Sequence, residues 1–222
     1  MQAQQTMDIS IVDHELPHDS HNFYDVYFFT DRINTLVTHD PTMVSNWLTH
    51  TQRIHRRRLS NLIVGLDVEW RPSFNKYQQN PVATLQLCVG RRCLVFQILH
   101  CSYDYEIPYD LRDFLANGGY TFVGIGIESD VEKLEEDYGL EVGGRIVDLR
   151  TLAADKYGRK ELKNSGLKEL ARVVLNKEVE KPKRVTMGRW DNRWLTPHQV
   201  QYACVDAFVS FEVGRRLNVS VD

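Results

Sequence analysis

An α/β domain, preceded by a β-hairpin and a helix, is what this sequence of 222 residues predicts. Three observations carry the prediction. Apolar, β-rich runs recur at NLIVGLDVEW (61–70), VATLQLCV (82–89), CLVFQI (93–98) and TFVGI (121–125). Segments with apolar residues at helical spacing lie around and between them. The length, with a hydrophobic content of 42%, is enough to bury one core without disulfide staples.

The elements follow in order. Residues 1–22 are polar and irregular and read as a flexible leader, in which His14, His18 and His21 are solvated. YDVYFFTDRINTLVT (24–38) reads as two strands around Thr30-Asp31-Arg32. Asp40-Pro41 resembles an N-cap followed by proline in the first turn. Val44, Trp47, Leu48, Thr51 and Ile54 then follow at helical spacing and predict a helix over 41–58. The strands at 82–89 and 93–98 are joined by Gly90-Arg91-Arg92, which sets Cys88 and Cys93 across a hairpin. Pro108 to Asn117 reads as a helix closed by Gly118, and a charged helix runs from Ser129 to Gly139. Residues 146–149 form a short strand. Residues 165–176 form a helix with Leu167, Leu170, Val173 and Val174 inward, and the charged stretch 177–193 reads as a loop. Thr196-Pro197-His198-Gln199 has the form of a capping box and opens a helix to about Leu217. No repeat is visible. The expected organisation is one domain over 23–222, with a hairpin–helix prefix at 23–59 and a core at 60–217.

Composition excludes several classes. There are 27 Lys+Arg against 30 Asp+Glu, a formal net charge of -3. Nucleic acid is therefore not held by bulk positive charge, although a local basic track is compatible with the balance. No run approaches the ~20 apolar residues of a membrane span, and MQAQQTMDIS lacks the features of a secretory signal. Cys88, Cys93, Cys101 and Cys204 form no C-x-x-C pair and are expected to be reduced thiols in a protein of the cytoplasm or nucleus.

The acids carry the functional signal. Asp67 and Glu69 lie two apart on the apolar strand 61–70 and so share a face. Two buried carboxylates on one face repel and are costly to desolvate, and a divalent cation relieves both penalties. The plainer alternative is that the strand ends there and both acids are solvated. Asp130 falls in the first turn of a helix after the strand and turn of GIGIESD (124–130). Ligand sites of open α/β sheets cluster at such strand ends. A helix dipole alone would also favour an acid there. A dinucleotide fingerprint is rejected because Ser129 stands where the third glycine is needed. Tyr202 and Asp206 lie four apart in an apolar helix and share its face, either as a structural pair or as part of a site.

Taken together, Asp67-x-Glu69, Asp130 and Tyr202-x-x-x-Asp206 resemble the DEDD superfamily of 3′→5′ exonucleases in its tyrosine subclass. GLDVEW, VATLQLCV, VGIGIESDVEKL, SGLKELARVVL and WLTPHQVQYACVDAF carry the resemblance over about 60–217. It is similar to Werner-syndrome-type exonuclease domains, and most similar to compact plant members such as the RISC-associated clearing exoribonucleases. The histidine subclass would want histidine where Gln201 stands.

The resemblance implies a ribonuclease H-like fold, a mixed sheet flanked by helices. It implies two Mg²⁺ or Mn²⁺ ions, with Asp67 bridging both, Glu69 and Asp206 completing one site and Asp130 supporting the other. Tyr202 would orient the attacking water, since a phenol of ordinary pKa ~10 is a poor base at neutral pH. The expected reaction shortens a chain from its 3′ end and releases nucleoside 5′-monophosphates. Short single-stranded RNA is the expected substrate, with DNA 3′ ends as runner-up. A nucleic-acid-binding scaffold without turnover is a reading from a different class. The resemblance also implies a ring hexamer, with an RNA-silencing protein as a partner.

Candidate substrate contacts are Arg53/Arg56/Arg57/Arg58, Arg91/Arg92, and Lys181, Lys183 and Arg184 with Arg189. Lys183 and Arg184, in the loop before the Tyr202 helix, are the preferred pair. Trp70 and Phe74 offer rings on which a terminal base could stack, although Trp70 equally suits the core.

Overall fold

The computed structural model describes residues 9–73, 79–180 and 182–219. The N-terminal strands are β1 (Ile9–Asp13), β2 (His21–Phe28) and β3 (Asp31–Thr38), followed by helix α1 (Pro41–Ile54). Next come β4 (Leu62–Trp70), β5 (Val82–Val89), β6 (Arg92–Phe96), α2 (Ile98–Asp104) and α3 (Tyr109–Leu115). Then follow β7 (Tyr120–Gly124), α4 (Ile127–Tyr138), β8 (Arg145–Asp148) and α5 (Leu149–Tyr157). Last are α6 (Leu167–Leu170), α7 (Lys183–Thr186) and α8 (Pro197–Arg216). All eight strands form one mixed sheet in the order β1-β2-β3-β6-β5-β4-β7-β8. The fold is a ribonuclease H-like α/β sheet flanked by helices.

Strand β4, sixth in that order, is covered on both faces. Val64, Leu66 and Val68 belong to a core with residues of α1, α3 and α4, and Trp70 packs against it. Gly65, Asp67 and Glu69 alternate with them and face α8, as the period of two requires. The core on that side is built from α5, α6 and α8. Strand β4 pairs antiparallel with β5 and parallel with β7, and its register with β5 shifts between Glu69 and Trp70. Such irregularities re-aim side chains at the rims of sheets.

Several expectations need correction. The leader is not irregular throughout: Ile9–Asp13 is a strand paired with β2. His14 hydrogen-bonds Asp25 at 2.9 Å, and the rings of His18 and His21 stack at 4.7 Å. The hairpin turns on Phe29-Thr30, because Phe28 pairs with Asp31 and Phe29 adopts a φ of 55°. Helix α1 stops at Ile54, where His55 caps it. The helix expected over 165–176 is a single α-turn continued by a π-helical turn, Ala171–Leu175. Helix α7 lies inside the stretch read as loop. Helices α2 and α5 follow their strands with at most one residue between, which left no separate signal. Asp148 is at once the last residue of β8 and the N-cap of α5, accepting the Arg150 N–H.

The four cysteines are buried and unbridged, and Cys88 faces Cys93 across β5 and β6. Among the described residues no helix is long and apolar enough to cross a membrane.

Candidate active site

The exit end of β4 presents Asp67 and Glu69, both half-buried, toward α8. Helix α8 supplies Asp206, which is 3% exposed. One carboxylate oxygen from each of the three lies within 4.8 Å of the others. Two full charges about 5 Å apart repel by roughly 1 kcal/mol in water and about 3 kcal/mol at an effective dielectric near 20. Three hard oxygen donors converging at this spacing suit a divalent cation, which removes that repulsion.

Local sequence explains why α8 delivers Asp206 there. Its first turn is fixed by a capping box: the Gln199 N–H donates to Thr196 Oγ1, the Thr196 N–H donates to Gln199 Oε1, and Pro197 occupies the first turn. The helix can then lie on β4 because residue 65 is glycine. A Cβ at Gly65 would sit 2.1 Å from the Ala207 carbonyl oxygen and 2.9 Å from the Phe211 nitrogen. Gly65 is a packing determinant of the site that sequence reasoning missed, although a glycine inside an apolar strand is a recognised sign of close approach.

Tyr202 stands one turn before Asp206 and hydrogen-bonds it. Burial, then the charges of Asp206, Glu69 and Asp67, push its phenol far above the ordinary tyrosine range. The hydroxyl therefore remains protonated at neutral pH. Its ring packs beside Trp190 at 6.0 Å between centroids. Trp190 is fully buried and donates from Nε1 to the Thr186 carbonyl at 3.4 Å, which ties the preceding segment to α8. It too was missed; a tryptophan amid charged residues was its only signal.

Asp130 is buried on α4 but lies outside the 4.8 Å cluster. Burial, with Asp148 and Glu128 adding repulsion, pushes its carboxyl up to about 7. Helix α4 covers the face of β4 opposite α8, and Asp130 lies in its first turn. Its neighbourhood is organised by Asp148, which sequence reasoning also missed. Asp148 accepts the Gly126 N–H at 2.9 Å and is gripped by Arg150. Burial opposes ionisation of Asp148, but the Arg150 and Gly126 hydrogen bonds outweigh it and hold the carboxyl below its ordinary range. Asp67, Glu69 and Asp206 form a trio at this spacing, and Asp130, the fourth acid of the expected set, lies outside that 4.8 Å group.

The substrate candidates separate clearly. Lys183 and Arg184 are exposed on α7, which packs on α8. Val185, next to them, lines a cleft of about 500 Å³ together with Tyr202, Asp206 and Gln201. Trp70 is not beside the carboxylates. It lies on the opposite face of β4, against the α1/α3/α4 core, with Lys133 Nζ 5.4 Å from its ring centroid. Phe74 and Lys181 lie outside the described residues. Arg189 pairs with Asp191, which Arg71 also holds, and Arg91 pairs with Asp31. The Arg53–Arg58 run sits at the entry end of β4, away from the trio.

Residues 49–222 match the family described as 3'-5' exonuclease. A 3'-5' exonuclease of Arabidopsis thaliana is 40% identical over 69% of this chain and 52% of its own length. The bifunctional 3'-5' exonuclease/ATP-dependent helicase WRN of Mus musculus is 32% identical over 70% of this chain and 11% of its own. The chain therefore spans about half of the first relative and about a tenth of the second. Escherichia coli RNase D, described as an exoribonuclease involved in structured RNA processing, shares the fold. Its TM-score is 0.66 at 17% identity, over 83% of this chain and 44% of that one. With its acids gathered on β4 and α8 and with residues 49–222 matched, the chain belongs to the 3'-5' exonuclease family, consistent with the DEDD superfamily.

Proposed function

We propose that the protein hydrolyses the terminal phosphodiester at the 3′ end of single-stranded RNA and releases a nucleoside 5′-monophosphate. The convergence of Asp67, Glu69 and Asp206 within 4.8 Å carries this reading. These three would hold one Mg²⁺ or Mn²⁺, and Asp130 would serve a second. The bound ions would neutralise charge on the phosphate and make a water more acidic. The protonated Tyr202 hydroxyl orients that water toward the phosphorus. Water's oxygen becomes part of the released monophosphate, the P–O3′ bond breaks, and the proton passes to the freed 3′-oxygen. Lys183 and Arg184 flank the cleft and hold the phosphates behind the scissile bond. The RNA preference rests on the likeness of the motifs to the compact plant exoribonucleases.

The test is a trimming assay on 3′-labelled and 5′-labelled single-stranded RNA, single-stranded DNA and recessed duplex. It is run with and without Mg²⁺ or Mn²⁺, beside Asp67→Ala. Mononucleotide release from RNA that requires the cation, and a drop of about 10³-fold in Asp67→Ala, some 4 kcal/mol of barrier, are expected. Tyr202→Phe loses less than Asp206→Ala, because the ring packing stays. A folded Asp67→Ala protein that trims at the wild-type rate overturns the reading. Faster trimming of DNA overturns the choice of sugar.

A further inference from the structure

The chain between α1 and β4 holds four arginines within six residues, Arg53, Arg56, Arg57 and Arg58, all exposed. The segment folds around a shallow cavity of about 400 Å³ lined by residues 53–58 alone. Among the described residues no carboxylate lies within 4.0 Å of any of the four. Several arginines elsewhere are committed: Arg32 to Asp25, Arg71 and Arg189 to Asp191, Arg172 to Glu169, Arg215 to Glu212.

Arg92 extends this surface. It is half-buried at the start of β6, and its buried Nε has no hydrogen-bond partner among the described residues. Burial lowers its pKa, so its charge is held at a cost. The turn at Gly90 approaches His55, whose ring would lie 3.7 Å from a Cβ there. Arg92 and Arg53 depress His50, while burial, Arg58 and Arg92 depress His55.

A helix C-terminus attracts cations, and that is the plainer account of this run. The dipole there is worth about half an elementary charge. Four arginines exceed it by more than three charges, before Arg92 is added. The excess leaves a positive surface that favours a polyanion. Guanidinium groups without carboxylate partners suit phosphate, which they bind in a bidentate fork.

Position separates this surface from the catalytic centre. Strand β4 enters at Leu62, just after the arginines, and reaches Asp67 five residues later, about 17 Å at 3.3 Å per residue. A stacked strand rising about 3.4 Å per nucleotide needs at least about five nucleotides to cover that distance. We propose that Arg53, Arg56, Arg57, Arg58 and Arg92 form a second phosphate-binding surface, which grips the backbone of a nucleic-acid strand upstream of the 3′ end held at Asp67, Glu69 and Asp206. The proposal rests on the exonuclease reading for the strand's direction only. A chain with net charge -3 and a carboxylate centre gains from a polyanion anchor at a distance.

The test measures binding without turnover, in an Asp67→Ala background with chelator present. Fluorescence anisotropy follows 5′-labelled single strands of about 5 and about 20 nucleotides across a salt series. Arg56→Ala/Arg57→Ala is compared with Arg56→Lys/Arg57→Lys, and circular dichroism checks the fold. The alanine pair is expected to weaken the long strand about tenfold and to lower its salt slope by about 1.4, at roughly 0.7 per lost phosphate contact. The short strand keeps its affinity, and the lysine pair keeps most of the long-strand affinity. Unchanged long-strand affinity and slope overturn the proposal. So does equal weakening of both lengths, which would place the arginines at the catalytic centre. Arginine-dependent capture of phosphatidylserine vesicles without strand binding overturns it in favour of a membrane surface. Because no cleavage is read, failure here is distinguishable from failure of the trimming assay.

Discussion

Asp25 shows what one buried carboxylate requires in this protein. It is 3% exposed and takes hydrogen bonds from Arg32 at 2.6 Å and His14 at 2.9 Å. The Arg32 bond, helped by His14 against the opposing effect of burial, holds the carboxyl below its ordinary range. A lowered pKa contributes stability that is complete above the unfolded value near 4 and is lost as pH falls through the folded value. Asp25→Ala should cost about 1–2 kcal/mol at neutral pH. The gap in thermal midpoint between wild type and variant should narrow in acid; a gap that widens there would contradict the assignment. Asp67 lies within 4.8 Å of two other carboxylates. Its removal should leave the metal-free midpoint unchanged or raised. It should also abolish the rise given by saturating Mn²⁺, about 2.7 kcal/mol at a hundredfold excess over Kd.

Helix α8 against strand β4 is the contact on which the site depends. Alternation along β4 puts Gly65, Asp67 and Glu69 on one face, and a four-residue step along α8 puts Tyr202 and Asp206 on one side. Both patterns are local and were readable in the sequence, as was the capping box that sets the start of α8. The closeness of the two elements was not readable, because it depends on the space Gly65 leaves. Gly65→Ala places a methyl group into the α8 backbone and should cost about 1–3 kcal/mol of stability. It should also lower kcat about 10²-fold, since displacement by roughly 1 Å is enough for that. Circular dichroism and a trimming assay would show both; wild-type activity in a folded Gly65→Ala protein would sink the account. Helices α2 and α5 escaped sequence reading for a different reason. Their caps are the ends of the preceding strands or single residues beyond them, so no loop composition announced a new element.

Over the whole molecule, charge is arranged rather than summed. The trio sits at the exit end of β4, and the arginines of 53–58 sit at its entry end, so a net charge of -3 conceals two regions of opposite sign. The hairpin β2–β3 adds to the sheet by pairing β3 parallel with β6, and β1 becomes the outer edge. An exposed edge strand is a natural place for contact with another chain. The ring hexamer is a proposal from the motif resemblance, and light scattering tests it. A multiple of 25.9 kDa is expected, and a clean mass of 25.9 kDa would remove the ring.

Sequence by itself determined the α/β class and the core strands, and it placed Asp67 with Glu69 on one strand face and Tyr202 with Asp206 on one helix face. Each of these follows from backbone periodicity or from capping chemistry, which act over a few residues. Tertiary structure alone decided which acids meet. Asp67, Glu69 and Asp206 converge because Gly65 admits α8. Asp130 stands near Asp148, on the helix that covers the other face of β4. Spacing along a chain fixes which side chains share a face, while the packing of distant elements fixes which faces touch.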